Sequence, residues 1–206
     1  MSKRPIIVFE GIEGSGKTHH INKVVKFLRK EKFKFVKIRE PGGSKNSEKI
    51  RKLLMANSSN FNKLTDLMLY MASRNENYIN IISKNLNKKI ILIDRFVDST
   101  IAYQHYGMGI ELDIINYLNK KILKNTKVNF TFLHTVSIRN LNLRLNRRKT
   151  LNRYDKFKRE FYMKAQNGFI KLAKSKKNYL LINSNKSIDI NEDIVIKKIK
   201  QLLKKC

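Results

Sequence analysis

Residues 9–18 read F-E-G-I-E-G-S-G-K-T, and Gly11 to Thr18 follow the spacing G-x-x-x-x-G-K-[ST]. No other stretch restricts the fold of this chain as much. Gly11, Gly14 and Gly16, with Ser15 between them, allow a tight curl that turns backbone N–H groups inward as an anion cradle. A helix starting behind the loop adds its partial positive end. Lys17 can then reach the outer phosphates of a nucleoside triphosphate, and the Thr18 hydroxyl can ligate Mg²⁺. The flanks fit this frame. Residues 5–10 form a short apolar run, and residues 17–30 place Ile21, Val24, Val25 and Leu28 at helical spacing. The loop also carries a carboxylate, Glu13, and no arginine. Both features need an explanation in a loop that holds polyphosphate.

The rest of the chain alternates in the same way. Residues 33–38, 89–94, 128–133 and 179–182 read as strands. Residues 49–55, 63–86, 112–123, 137–147, 161–173 and 192–203 read as helices. Strands alternating with helices predict a mostly parallel sheet covered on both faces, with ligands beyond the carboxyl ends of the strands. The loop at Gly11, Arg39 after the second strand, and Asp94-Arg95 after the third all fall at that end. A carboxylate such as Asp94, capping a buried strand, can hold Mg²⁺ or its water, and Arg95 puts a fixed cation in the same cleft. Residues 146–158 are polar and basic, between two helical stretches, and no linker or repeat divides the 206 residues. One domain is expected, residues 1–206, with a lid segment at about 146–156.

The chain holds 45 Lys+Arg against 16 Asp+Glu, a formal charge of +29. Such a surface attracts polyanions at low salt. The lysines are spread from Lys3 to Lys205, however, and no run interleaves basic and aromatic residues. The charge therefore reads as compositional bias, with no specific nucleic-acid partner. The single cysteine, Cys206, excludes a disulfide or a cysteine-based metal site within one chain. No apolar run reaches the ~20 residues of a membrane span, and the four apolar residues from Ile6 to Phe9 are too few for a signal peptide, so a cytoplasmic location without membrane partners is expected.

Taken in order, these motifs resemble the thymidylate kinase (dTMP kinase) family. Glu10 to Thr18 is similar to E-G-x-[DE]-G-x-G-K-T. Arg39 to Ser44, R-E-P-G-G-S, is similar to R-E-P-G-G-T. Asp94 to Gln104, D-R-F-V-D-S-T-I-A-Y-Q, is similar to D-R-x-x-x-S-x-x-A-Y-Q, and Tyr70 and Arg74 keep the spacing of F-x-x-x-R. The resemblance implies a three-layer α/β fold of the P-loop nucleoside monophosphate kinase type. It implies the reaction ATP + dTMP → ADP + dTDP with Mg²⁺, and a homodimer. Tyr70 would stack on the thymine and Arg74 would donate to one of its carbonyls. Arg95, helped by Arg39, would clamp the monophosphate. Ser99 and Thr100 would lie where the base's polar edge is read, with Gln104 a further substrate contact. Tyr103 would crowd the sugar 2′ position and reject ribose by bulk. Glu13 would face the acceptor and hold Arg95 or a magnesium-bound water.

The resemblance is to the bacterial subtype, whose phosphate loop lacks arginine and whose lid supplies it through R-x-x-x-x-R. Arg148 and Arg153 have that spacing, with Arg147 beside them, and Arg144 would lie nearer the base and phosphates of ATP. The chain departs from the family at Thr100, where several relatives have Asn. It departs again at Leu133-His134-Thr135 in place of L-D-V, and at Ser137 in place of proline. His134 is expected to be a strand-end histidine satisfied by backbone. Two other readings remain to be weighed: a different P-loop nucleotide kinase, or a basic ATP-binding module acting on nucleic acid.

Overall fold

A computed structural model describes residues 4–124, 126–148 and 150–204. Cys206, and Lys149 within the expected lid segment, lie outside the described residues. Five strands, β1 (Ile6–Gly11), β2 (Phe35–Arg39), β3 (Ile90–Asp94), β4 (Phe130–Thr135) and β5 (Tyr179–Asn183), form one sheet in the order β2-β3-β1-β4-β5. Every pairing is parallel. The register sets Phe9 and Arg39 beside Asp94, and Gly11 beside His134. The phosphate loop, Arg39 and Asp94 thus share one edge of the sheet.

Strand alternation divides the core. Ile7, Phe9, Ile90, Leu92, Phe130 and Phe132 face one side. There they meet Ile21, Val24 and Leu28 of α1 (Lys17–Lys30) and Val195 and Ile199 of α8 (Ile188–Leu203). Ile6, Val8, Ile91 and Ile93 face the other side and meet Tyr78 and Ile82. Those two residues sit in a π-helical turn (Tyr78–Ile82) that continues α3 (Lys63–Asn77), which packs against α2 (Lys45–Met55). Each such side chain contributes about 1.5–3 kcal/mol when fully buried.

Residues 97–107, for which the sequence suggested no helix, form one. It is α4 (Val97–Thr100), running into a π-helical stretch (Ile101–Gly107). Val97, Thr100 and Ile101 are β-branched, which hides the helix from a propensity reading. The start is fixed from outside the segment. Glu10 accepts the N–H groups of Phe96 (2.8 Å) and Ser99 (3.2 Å), a carboxylate at a helix N-terminus supplied by β1. The wide turn is closed by Met108 N–H to Tyr103 C=O at 2.9 Å.

After α5 (Leu112–Leu123) and α6 (Ile138–Asn146), the segment expected to be a lid holds a 3₁₀ turn (Arg153–Lys156) before α7 (Arg159–Lys174). The sequence suggested a segment too polar for the core, yet Tyr154 and Asp155 are buried. The π stretch lies on α7 through two glycines. A Cβ at Gly168 would come within 2.4 Å of the Tyr106 ring, and one at Gly107 within 2.5 Å of Phe161. Gly168→Ala is expected to cost about 1–3 kcal/mol through overpacking. Urea unfolding followed by circular dichroism measures it, and an unchanged midpoint would show that the contact has slack.

Candidate functional site

The phosphate loop closes on itself. Gly11 has φ 137°, and a Cβ there would lie 2.2 Å from the His134 carbonyl oxygen, so only glycine lets β1 and β4 meet at this point. Gly16, at φ 86°, starts α1. Lys17 is folded back over the loop. Its Nζ donates to Gly11 O (2.8 Å), Ile12 O (2.7 Å) and Ser15 Oγ (3.2 Å). Burial, with Arg95 adding to it, lowers its ammonium pKa to about 7.

Arg95 follows β3 with a left-handed backbone, φ 67°, an unusual conformation for a non-glycine residue. Its N–H is held by Phe9 O at 3.0 Å. The guanidinium donates to Gly11 O (2.8 Å) and pairs with Glu13 Oε1 (2.7 Å), and it lies over the Tyr103 ring at 5.2 Å. Glu13 also accepts the Tyr103 hydroxyl. Burial opposes the charge on Glu13, but Arg95 and Lys17 outweigh it and hold the carboxyl below its usual range. Glu10 behaves differently. Burial, reinforced by Asp98, raises it to about 7 although Ser99 donates to it.

One cavity of about 900 Å³ is lined by Glu13, Lys17, Arg95, Ser99 and Tyr103. Thr18 and Asp94 lie on its wall, as does Lys17. Both are hard oxygen donors, which fits a hard divalent cation such as Mg²⁺. At one end, Arg144 bridges Gly14 O (2.7 Å) and Ser184 O (2.6 Å). His20 and Asn191 line that end too. At the other end are Tyr70, Arg74, Thr100, Tyr103 and Gln104. Arg74 is 1% exposed and donates to Glu40 (2.8 Å), Asn119 (2.7 Å) and Thr100 Oγ1 (3.0 Å). Burial raises the Glu40 pKa despite that ion pair. Neither amide atom of the buried Gln104 has a partner among the described residues.

The structure brings Glu13, Arg95, Ser99 and Tyr103 into one bonded group. Arg39 reaches the cavity but also pairs with Glu48 at 2.9 Å, and its side chain is half exposed. Arg148 lines the cavity, paired with Asp155. Arg153, placed by its spacing over the donor phosphates, is not on the cavity wall and pairs with buried Asp66 of α3. Sequence reasoning did not find Glu10, Glu40, Arg51, Asn119 or Tyr154. Glu10 and Glu40 stand inside the quoted motifs. Arg51, which donates to Pro41 O at 2.8 Å, lies one helical turn after Glu48 with no signal of its own.

His134 does not find a backbone partner as expected. Its Nε2 lies 3.1 Å from Nδ1 of His20, and the far nitrogen of each ring has no partner among the described residues. Burial, then the neighbouring histidine, holds both rings below the usual imidazole range: His20 for His134, and His19 for His20. A ring kept neutral when folded, but protonated when unfolded, loses stability as pH falls below about 6.5, by up to about 1.4 kcal/mol per pH unit per ring. The melting temperature is expected to fall between pH 7 and 5.5, with a shallower slope in His134→Asn. Equal slopes would show that the pair is not the acid-sensitive element.

Comparison with known proteins adds an independent line. Residues 9–195 match the family model described as thymidylate kinase. A curated thymidylate kinase from Sulfurihydrogenibium sp. (strain YO3AOP1) is 36% identical over 198 residues, covering 95% of this chain and 96% of its own. One from Mycoplasma capricolum is 36% identical over 203 residues, covering 96% of this chain and 95% of its own. The crystal structure of the thymidylate kinase from Ehrlichia chaffeensis superposes with a TM-score of 0.77 at 32% identity, covering 95% of this chain and 98% of that one.

Proposed function

The chain belongs to the thymidylate kinase family, and from that membership we propose that it transfers the γ-phosphoryl group of ATP to dTMP, giving ADP and dTDP. The observation that carries the acceptor assignment is the unpartnered, buried Gln104 amide, which lines the same cavity as Arg74 and Tyr70. An aromatic ring, a buried guanidinium and a free amide together suit a flat, polar-edged base. Thr100 offers one hydroxyl at that edge, and Ser99 sits beside it.

A dTMP phosphate oxygen attacks the γ-phosphorus. The bond from that phosphorus to the β-bridging oxygen breaks, and ADP leaves with the electron pair. Arg95, aimed by Glu13 and the Gly11 carbonyl, holds the acceptor phosphate, with Arg39 and Arg51 at its outer side. Tyr103, tied to Glu13, occupies the space where a 2′-hydroxyl would project. Lys17 moves from its own loop onto the outer phosphates of ATP. Gly11, Gly14, Ser15 and Gly16 cradle those phosphates, and Arg144 lies against the donor. Thr18 and Asp94 would hold Mg²⁺, which neutralises charge on the donor phosphates when bound. Residues of about 146–156 act as a lid. Arg148 exchanges Asp155 for the moving phosphoryl group.

The same reading includes a homodimer. Leu64 (49%), Met68 (44%) and Ile79 (51%) are exposed along one stripe of α3 and its continuation, which supports helix-to-helix association. A cytoplasmic location goes with nucleotide substrates. No helix among the described residues is long and apolar enough to cross a membrane.

ADP release, followed in a coupled assay across dTMP, dUMP, UMP, AMP and GMP, tests the assignment. dTMP is expected to give the highest kcat/KM. Good turnover of another monophosphate and none of dTMP would overturn it, and DNA-stimulated ATPase without monophosphate kinase activity would favour a nucleic-acid module. Arg148→Ala is expected to lower kcat by roughly 10²–10³-fold, with the KM for dTMP within a few-fold of wild type, because its contact strengthens at the transition state. An unchanged kcat would remove Arg148 from the chemistry.

A further inference from the structure

The lid turn is fastened to the helix that carries the acceptor's stacking ring. Asp66 lies on α3 one turn before Tyr70 and is 2% exposed. A buried carboxylate is costly unless it is paired and hydrogen-bonded. Both partners come from the lid turn: Arg153 forms an ion pair with Oδ1, and the Tyr154 hydroxyl donates to Oδ2. Arg153 Nη2 also donates to the Tyr154 hydroxyl at 3.2 Å, which closes a triangle of three groups. The turn is held from behind by Tyr162, whose hydroxyl donates to Tyr154 O at 2.5 Å.

This fastening has a consequence at each end. The Tyr154 ring stands edge-on to Tyr70, 5.9 Å between centroids and 90° between planes. The ring that fixes the Tyr70 face therefore belongs to the lid. At the other end, the Asn152–Asp155 capping box is continuous with the turn, and Asp155 is the residue that holds Arg148.

We propose that Asp66 is a positioning residue, which latches the lid turn onto α3 and so couples the acceptor base site to the lid arginine Arg148. Arg153 belongs to this latch and takes no part in contacting the donor phosphates. The inference rests on the kinase reading above. Whatever orders Tyr70 orders Tyr154, and with it the turn that carries Asp155. By linkage, dTMP raises donor affinity and a donor raises dTMP affinity by the same factor.

The test uses the full chain as wild type, Asp66→Asn, Arg153→Met, the double variant and Tyr154→Phe. Calorimetry measures dTMP binding alone and with a non-hydrolysable ATP analogue. Steady-state assays give kcat and KM, and trypsin cleavage after Arg147 and Arg148 reports how firmly the lid is held without nucleotide. In Asp66→Asn, dTMP binding alone is expected within about threefold of wild type, since Tyr70 and Arg74 remain. Its enhancement by the analogue should be lost, kcat should fall by about 10–100-fold, and lid cleavage should be faster. Arg153→Met should match it. The double variant should regain thermal stability, because it leaves no unpaired buried charge, but not the coupling. A purely structural ion pair would recover both. Tyr154→Phe keeps the ring and should lose coupling only in part, which serves the test if Asp66→Asn does not fold.

A fall in kcat for Arg153→Met with none for Asp66→Asn or Tyr154→Phe would overturn the proposal and return Arg153 to the phosphates. Unchanged coupling and cleavage in Asp66→Asn would also overturn it. If wild type fails to phosphorylate dTMP yet Asp66→Asn speeds lid cleavage, the kinase reading falls while the latch stands.

Discussion

The carbonyl oxygen of Gly11 accepts from two cations, Lys17 Nζ and Arg95 Nη1, each at 2.8 Å. One end of the phosphate loop is thereby tied to its own lysine, and the same atom is tied to the arginine at the end of the neighbouring strand. This is possible because parallel pairing sets Phe9 beside Asp94, so that the chain leaving β3 turns back over the chain leaving β1. The left-handed backbone at Arg95 is the local cost of that turn. Lys17 and Arg95, assigned to donor and acceptor on the proposed reading, are thus related by one backbone atom. The aim of each depends on Gly11 staying glycine against β4.

The same economy governs the carboxylates. Against 45 basic residues the chain has only 16 acidic ones, and several of the latter are buried at or near the cavity. Glu13 aims Arg95, Glu40 aims Arg74, Asp155 holds Arg148, and Asp66 holds Arg153. Glu10 anchors the start of α4, which carries Ser99 and Thr100. A guanidinium on a surface this basic would be free to sample many orientations, and burial beside one fixed carboxylate removes that freedom. Glu13, which looked misplaced in a phosphate-binding loop, has this role. It faces Arg95 and Tyr103 and does not enter the cradle.

The sheet and its helices were legible because their signals are local. Short apolar runs, or alternation in the case of residues 33–38, located the strands, and period 3.6 located the long helices. The phosphate loop was legible because glycine spacing encodes backbone shape. The helix at residues 97–107 was not, since it is nucleated by a carboxylate 86 positions from Phe96. Arg148 and Arg153 show the same limit. Their spacing is equivalent on paper, but their partners are Asp155, seven positions away from Arg148, and Asp66, 87 positions away from Arg153. Only the second choice carries its arginine away from the cavity. Likewise His134 stood out by residue type, yet His20, 114 positions away, decides how it is satisfied.

These pairings also bear on how the site works. Lys17 is held by loop oxygens, Arg95 by Glu13, Arg144 by two carbonyls, and Arg148 by Asp155. Without nucleotide, each cation has a place within the chain. A bound phosphate therefore gains only the difference between its own contact and the one it displaces. On the proposed reading that difference is small for Arg95, which can keep Glu13 and the Gly11 carbonyl while it meets an anion. It is larger for Lys17, whose ammonium pKa is pushed down to about 7 by burial and Arg95, so that a nearby anion favours its charged form. Arg148 lies between these cases, since its side chain is 37% exposed while its Asp155 partner is 1% exposed. It can leave Asp155 without uncovering a deeply buried charge of its own, and Asp155 keeps the Asn152 cap when it goes. On the proposed reading, the arginine that would move is thus the more exposed member of its pair, while Arg74, which aims at the base end of the cavity, is 1% exposed and held by a buried carboxylate.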